Sequence, residues 1–114
     1  MILTISRKKL DADIVVLEMN GRIVLGSDCK TVEWTFDELL KENQKKVIFD
    51  LAGVTVLDST GVGIVVMCYA RLKKAGGALK IAGAGGMVDY TLKMTNMDKL
   101  MDLYPGTAEA AAAF

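Results

Sequence analysis

The stretch 47-VIFDLAGVTVLDSTGVGIVV-66 joins an apolar run to an acid, two hydroxyls and two glycines. Lys46–Leu51 predicts a strand buried inside a sheet, because strands covered on both faces are apolar almost throughout. Residues Ala52–Leu57 are expected to lead from this strand into a helix. That helix is predicted from Ser59 to about Ala75, since Gly76-Gly77 is typical of a helix end. A buried strand followed by a helix is typical of α/β proteins.

Outward from this unit, predicted strands and helices alternate along the chain. Ile2–Leu10 and Asp13–Met19 predict an N-terminal hairpin that turns at Asp11-Ala12, and Asn20-Gly21 is expected to end the second run. The other predicted elements are a helix from Gly26-Ser27-Asp28 to about Glu42, a strand over Leu79–Ala82, a helix over Met87–Thr95 that stops near Asn96, a strand over Met101–Tyr104, and a helix capped by Thr107 that runs to Phe114. We therefore expect one α/β domain over residues 1–114, with a mixed sheet of four to five strands and helices packed on it.

Composition narrows the functions that we expect of this domain. Lys and Arg together number 14, as do Asp and Glu, and this zero net charge favours neither nucleic acid nor an anionic membrane as partner. No apolar run approaches the ~20 residues of a membrane span. The chain has no histidine, the commonest general base, so we expect no enzyme, no catalytic residue, no small-molecule substrate, and no metal or cofactor. Cys29 and Cys68 lack metal or disulfide spacing, which is typical of reduced thiols in a cytoplasmic protein.

The segment Asp58-Ser59-Thr60-Gly61 has two interpretations at the start of a helix. In the first, Asp58 caps the free N–H groups of the first turn, and Gly61 and Gly63 are packing spacers. Each glycine costs a helix about 0.8–1 kcal/mol relative to alanine, which close approach of another backbone or of a partner would explain. In the second, Ser59 is a phosphoacceptor at the positive end of the helix dipole. The residues alone leave both interpretations open.

A phosphate on Ser59 would act as a switch through charge alone. It adds about −1.5 to −2 charges beside Asp58. At ~5 Å and an effective dielectric constant of ~20–80, each charge pair so created costs a docked protein roughly 1–3 kcal/mol. That free energy corresponds to a loss of about tenfold or more in affinity. A single covalent event would therefore release a partner without refolding the domain.

Helical periodicity separates the inward and outward faces of the predicted helices. In the helix after Ser59, the predicted inward face is Val62, Val65, Val66, Tyr69 and Leu72, and the outward stripe is Thr60, Ile64, Met67, Arg71 and Lys74. The outward stripe indicates either ordinary exposed residues or a protein-docking surface. In the helix before it, the apolar face is Cys29, Val32, Phe36, Leu39 and Leu40. Trp34 lies opposite that face, either as a contact residue or against Leu92, and the methionines at 87, 94, 97 and 101 are expected to fill the core.

These motifs together resemble the STAS family, and within it the bacterial anti-sigma factor antagonists. The stretch quoted at the outset resembles the family's buried strand, loop and Asp-Ser-Ser/Thr-Gly-Leu-Gly helix start. The segment 71-RLKKAGGALKIAG-83 resembles the end of that helix and the next strand, and 95-TNMDKLMDLYPGTAEAAAAF-114 resembles the closing region. The resemblance covers nearly the whole chain and implies a single STAS domain.

The resemblance also implies a function and a site. Ser59 would be phosphorylated by a serine protein kinase that is itself an anti-sigma factor, and a PP2C-type phosphatase would reset it. The unphosphorylated protein would bind the kinase and release the sigma factor. Asp58, Thr60 and Gly61 would support the phosphosite. Partner contacts would come from the segment Gly21–Asp28 and from the outward face of the following helix, through Gly21, Arg22, Ile23, Ser27, Ile64, Met67 and Arg71.

One departure from the family pattern keeps other functions open. Many members carry an acid near the phosphoacceptor at the position of Val24, and Asp28 is the candidate to replace it. The first alternative is a STAS subunit of a scaffold or lipid-transport complex that binds proteins without phosphorylation. The second is a small enzyme or nucleotide-binding domain that uses the Gly83–Gly86 loop. The missing histidine, and Val88 in place of a third motif glycine, disfavour this second alternative.

Overall fold

The computed structural model describes residues 2–11 and 13–114, which form one mixed sheet and its covering helices. In chain order the elements are β1 (Thr4–Asp11), β2 (Ile14–Ile23), α1 (Ser27–Lys41), β3 (Lys46–Leu57), α2 (Ser59–Lys74), β4 (Ala78–Ala82), α3 (Gly86–Met94), α4 (Met97–Leu100), β5 (Leu103–Tyr104) and α5 (Thr107–Ala112). The strand order is β1-β2-β3-β4-β5. Only the β1–β2 pair is antiparallel among the described strands. This architecture confirms the predicted α/β class and mixed sheet.

The second strand is longer than its sequence predicts, because the signal at Asn20-Gly21 is a bulge and not a strand end. The parallel β2–β3 register is irregular on both sides of this pair and then resumes as far as Ile23 opposite Leu57. Gly21 has φ +120°, and a Cβ there would lie 3.0 Å from the Ile2 carbonyl oxygen. The predicted turn at Asp11-Ala12 falls partly on Ala12, which lies outside the described residues.

The third strand also exceeds its prediction, and its extra length positions the start of α2. The segment Ala52–Leu57, which we expected to be a connection, continues β3 beside β2. The β3–β4 ladder ends where Asp50 pairs with Ala82, so β3 runs past the end of β4. The carboxylate of Asp50 accepts a hydrogen bond from Ala52 N at this point (3.0 Å). Asp58 therefore stands at the tip of the longest strand.

The predicted helix ends are mostly confirmed. Gly76 adopts φ +88°, and Gly77 N donates to the Leu72 carbonyl at 2.8 Å, which closes α2 as a left-handed C-terminal cap. Asn96 is left-handed (φ +61°) and separates α3 from α4, a one-turn helix that the sequence did not indicate. The cap predicted at Thr107 is wrong: Gly106 holds that position, and Thr107 is the first helical residue.

Two apolar cores flank the sheet. The larger core lies beneath α1, α2 and α3, and there the rings of Phe36 and Phe49 meet edge to face with centroids 6.3 Å apart. As predicted, α1 contributes Cys29, Val32, Phe36 and Leu39 to this core. The smaller core lies on the opposite face, where α5 covers part of β2, β3 and β4 through Ala110. Within the described part of the chain, no helix combines the length and apolarity that a membrane span needs.

Candidate functional site

Asp58 ties the start of α2 to the loop that follows β2. Its Oδ1 atom accepts a hydrogen bond from Gly61 N at 2.7 Å, which confirms the predicted helix cap. Its Oδ2 atom accepts from Leu25 N at 2.9 Å, a contact that the sequence gave no sign of. The Asp58 N–H in turn donates to the Ile23 carbonyl at 3.3 Å. Asp58 therefore holds the first turn of α2 and the loop after β2 in fixed positions relative to each other.

The two glycines of α2 have different surroundings. A Cβ on Gly61 would lie 2.3 Å from the Ile23 carbonyl oxygen and 2.7 Å from Leu57 Cδ1, so only glycine lets β2 approach the helix this closely. Gly63 is exposed, and a Cβ there would have no heavy atom of the described residues within 4 Å beyond its own helix and chain neighbours. Packing within the domain therefore explains Gly61 and leaves Gly63 unexplained.

Ser59 is the exposed hydroxyl of this helix start. Its side chain faces solvent, whereas that of Thr60 is half-buried. Within residues 2–11 and 13–114 the Ser59 hydroxyl has no hydrogen-bond partner. The Asp58 side chain and carbonyl accept from Gly61 N and Val62 N, and Ser59 is the first residue of α2, at the positive end of the helix dipole. An added phosphate would meet open solvent on one side and the helix dipole on the other.

Val24 stands where many family members carry an acid, and its backbone contacts the Cys29 thiol. Val24 is half-buried, and its carbonyl accepts from the Cys29 thiol (S–O 3.2 Å). Burial raises the pKa of that thiol above its ordinary value, and the negative charges of Asp58 and Asp28 raise the same pKa further. The thiol itself stays protonated and is not a nucleophile.

The buried face of α2 is wider than predicted. Its fully buried residues are Gly61, Val62, Val65, Cys68 and Leu72, and Val66 and Tyr69, which we expected to face inward, are half-buried and pack against the same core. Ile64 also packs partly against the main core, so it is less outward than predicted. The reason is that Gly61 lets the first turn press against β2, which brings Cys68 inward two turns later.

Not every predicted contact residue is available to a partner. Gly21 and Ile23 are buried, because β2 continues through them into the sheet, and we remove them from the contact surface as a correction. Arg22 and Ser27 are exposed as predicted, and Met67 is half-buried. Arg71 is partly engaged within the domain. Its guanidinium lies 2.6 Å from Asp37 Oδ1 and 5.6 Å from the centroid of the Phe36 ring, so it joins α2 to α1.

Two exposed apolar residues near the site were missed or left undecided. Leu25 is 75% exposed although its backbone is bonded to Asp58, and only its place in a loop could have marked it. Trp34 is 68% exposed, so most of its side chain is open to solvent, whereas Leu92 is fully buried. Trp34 lines a groove of about 350 Å³ on α1 together with Asp37, the residue that contacts Arg71 of α2. Trp34 therefore lies at the edge of the α1–α2 surface.

The Gly83–Gly86 loop does not provide a good phosphate site. Gly83 and Gly86 have positive φ, and Ala84 lines an open cleft of about 640 Å³. The acidic side chains that line that cleft are Asp89, Asp98 and Asp102, whereas Lys93 is the one cation that lines it among the described residues. A pyrophosphate would meet net negative charge there, which opposes the nucleotide-binding alternative.

Comparison with known proteins establishes the family. The model of the STAS domain matches residues 6–110, and the chain therefore belongs to the STAS family. A Thermotoga maritima protein, provisionally named an anti-sigma factor antagonist, is 26% identical to this chain over 102 residues, which are 90% of each protein. These findings confirm the resemblance that the sequence motifs indicated.

Solved structures share the fold across proteins with different roles. A crystal structure of an anti-sigma factor antagonist from Mycobacterium paratuberculosis has a TM-score of 0.87 at 22% identity and covers 97% of this chain and 92% of that chain. The Bacillus cell fate determinant SpoIIAA in its phosphorylated form has a TM-score of 0.72 at 14% identity, covering 96% and 97%. The STAS domain of a SulP transporter from Vibrio cholerae has a TM-score of 0.74 at 23% identity, covering 92% and 83%. At these identities the likeness shows the fold alone.

Proposed function

We propose that this protein is an anti-sigma factor antagonist that phosphorylation of Ser59 switches off. The observation that carries the proposal is the exposed Ser59 hydroxyl, which has no hydrogen-bond partner in residues 2–11 and 13–114 and stands at a helix start that Asp58 and Gly61 hold in place. The relatives named as anti-sigma factor antagonists support the assignment, as does a phosphorylated form of the fold relative SpoIIAA. The partner is an anti-sigma factor with serine kinase activity, and a PP2C-type phosphatase removes the phosphate. The phosphorylation and the dephosphorylation both take place in the cytoplasm.

The contact surface that we propose surrounds Ser59 and continues along α2 onto α1. Leu25 and Trp34 supply exposed apolar area at its two ends, and Gly63 supplies a place where a partner can approach the helix backbone closely. The other members are Arg22, Ser27, Ile64, Met67 and Arg71. We call this set the docking surface.

Phosphorylation of Ser59 would release the partner by charge. The modified residue carries about −1.5 to −2 charges beside Asp58. The helix dipole favours the phosphate within the domain, so the fold remains intact. A docked partner, in contrast, must either desolvate the phosphate or bring its own acids against it, and each facing acid costs roughly 1–3 kcal/mol.

The direct test is intact-mass analysis of the protein after incubation with the anti-sigma kinase of the same genome and ATP. We expect the mass of one added phosphate on the wild type and on Ser27→Ala, and no addition on Ser59→Ala. Ser27 is the matched control because it is also an exposed serine at a helix start. Phosphate on Ser59→Ala, or none on the wild type, would reject the phosphosite.

Titration against the same kinase tests the switch. Ser59→Asp should weaken binding about tenfold, because it adds one negative charge at the docking surface, whereas Ser59→Ala should bind like the wild type. Ser6→Asp, on the exposed side of β1, adds the same charge away from the docking surface and should leave affinity unchanged. Equal affinities for Ser59→Asp and Ser59→Ala would contradict the switch and favour a phosphorylation-independent scaffold.

A further inference from the structure

A cavity of about 320 Å³ lies between the end of α5 and the starts of β3 and β4. Lys80 pairs with Ile48 across the β3–β4 ladder, and Lys46 lies two residues before Ile48 on β3. Because side chains two residues apart share a face of a sheet, both lysines lie on the face that carries the smaller core. Lys45 and Phe114 line the cavity with them. We call the space between these four side chains the basic cavity.

The turn before β4 holds Lys45 beside the basic cavity. Gly77 lies so close to the start of β3 that a Cβ there would be 2.3 Å from the Lys45 carbonyl oxygen, and Ala78 N donates to the same oxygen at 2.8 Å. The Lys45 ammonium donates to the Ala75 carbonyl at 2.7 Å. A cation is favourable there, because the C-terminal end of α2 carries the negative end of the helix dipole. Lys45 is therefore fixed through both its backbone and its side chain.

Lys80 is the most enclosed cation of the basic cavity. Its side chain is 12% exposed, and its ammonium lies 5.1 Å from the centroid of the Phe114 ring and 5.3 Å from that of Tyr104. The ammonium donates to the Tyr104 hydroxyl at 3.3 Å, whereas the Asp102 carboxylate, on a side chain that is 74% exposed, is 3.8 Å away and beyond hydrogen-bond distance. An ammonium has three donors, so two of them have no acceptor in residues 2–11 and 13–114.

The protein compensates the charge of the basic cavity only in part. In the part of the chain that the structure describes, no acidic side chain lines this space. Lys46 pairs with Asp13 at 2.9 Å, but Asp13 is 64% exposed and lies outside the lining. A concave site lined by one sign of charge concentrates ions of the opposite sign. The basic cavity therefore favours an anion, in contrast to the cleft beside the Gly83–Gly86 loop, which three aspartates line.

We propose that the basic cavity binds a small phosphate monoester that carries an apolar group. The phosphate would receive hydrogen bonds from the ammonium groups of the three lysines, since lysine binds phosphate as a point charge and three of them match a dianion. The apolar group would pack against the Phe114 ring, in a site that combines apolar walls with a few polar groups. Ser59 follows the opposite end of β3, so this site is separate from the proposed function.

The test uses amide chemical shifts of the full chain in two-dimensional NMR, with phenyl phosphate as the probe. We expect phenyl phosphate to shift the amides of Gly76 and Gly77, which line the cavity, with a dissociation constant of about 1 mM. Inorganic phosphate and benzyl alcohol, which each carry one half of the probe, should bind about tenfold more weakly or less. No shift of these amides at about 10 mM phenyl phosphate would overturn the proposal, as would equal affinity for either half.

Matched lysine variants separate this site from general attraction by positive charge. Lys80→Met keeps an unbranched apolar stem but removes the charge, and should weaken phenyl phosphate about tenfold or more. Lys74→Met removes the same charge from an exposed residue outside the lining and should leave the affinity unchanged. Equal losses in the two variants would overturn the proposal.

Two further variants test the halves of the site. Phe114→Ala should weaken phenyl phosphate and leave inorganic phosphate unchanged, and an equal loss for both ligands would contradict the assigned apolar contact. Urea unfolding checks the stability of each variant. If Lys80→Met fails to fold, Lys45→Met removes a charge of the same cavity and should weaken phenyl phosphate severalfold, whereas unchanged affinity would overturn the proposal. None of these results bears on phosphorylation of Ser59.

Discussion

Glycine occurs on both the inward and the outward side of the first turns of α2, and the two positions have opposite explanations. Inward, Gly61 lies against the Ile23 carbonyl, where a Cβ would be 2.3 Å from oxygen. Outward, Gly63 lies in open space and contributes no packing to the domain. A glycine inside a helix costs about 0.8–1 kcal/mol relative to alanine. The fold requires that cost at Gly61, whereas at Gly63 we attribute it to a partner.

The same division applies to the polar residues of the motif. Both carboxylate oxygens of Asp58 accept hydrogen bonds from backbone N–H groups, so this residue stabilises the fold. The Ser59 hydroxyl, one residue later, has no hydrogen-bond partner among the described residues, and its side chain faces solvent. In this short motif, Asp58 therefore supports the fold, whereas the Ser59 side chain is available to react or to bind a partner. Substitutions should separate the two roles by the size and sign of their effects.

The largest effect is expected from Gly61→Ala. The new methyl group would force the end of β2 away from α2, and overpacking of this kind costs about 1–3 kcal/mol even in a tolerant core. We expect a loss near the upper end of that range, because the neighbour is a backbone oxygen and not a flexible side chain. Urea unfolding measures it. A stability equal to that of the wild type would mean that the two elements are less closely packed than the structure shows.

Asp58→Ala should have an intermediate effect. Loss of the helix cap costs about 0.5–2 kcal/mol, and the Leu25 N–H loses its acceptor as well. Asp58→Asn is the matched variant, because its single carbonyl oxygen can still cap α2 but cannot accept from both N–H groups equally. The stability of Asp58→Asn should therefore lie between those of the wild type and Asp58→Ala. Urea unfolding of all three proteins ranks them. If alanine and asparagine were equally destabilising, the cap would not be the source of the effect.

The smallest effect, and the opposite sign, is expected from Gly63→Ala. Alanine should stabilise the domain by about 1 kcal/mol, because the helix gains propensity and nothing obstructs the methyl group. The same methyl group should weaken binding of the anti-sigma kinase if a partner approaches the helix there. Unfolding and titration on one variant give both answers. A gain in stability with unchanged affinity would exclude Gly63 from the docking surface.

Much of the fold follows from local patterns. The apolar run at Lys46–Leu51, the cap at Asp58 and the glycine pair at Gly76-Gly77 mark elements whose hydrogen bonds and φ angles are set within a few residues. The prediction that β2 ends at Asn20-Gly21 was wrong because a turn-prone pair also suits a bulge. Only the neighbouring strand, which pairs beyond it as far as Leu57, distinguishes the two.

The candidate site shows the same limit. Helical counting placed Val62, Val65 and Leu72 in the core, but it missed Cys68 and set Ile64 outward, although Ile64 packs partly against that core. It had no means of knowing that Gly61 would admit β2 so closely. The apolar residue type of Met87 and Met94 also predicted core positions, although the orientation of α3 on the sheet leaves both in solvent.

The sequence by itself determined the α/β class, the order of most elements, the Asp58 cap and the position of a hydroxyl at a helix start. These depend on propensity and on contacts between near neighbours, which the chain carries wherever it folds. Only the tertiary structure decided which glycine is packed and which is free, that Asp58 also holds Leu25, and which apolar residues of α1 and α3 remain exposed. Each of these depends on how closely separate elements approach, and that distance is set by the packing of the whole domain.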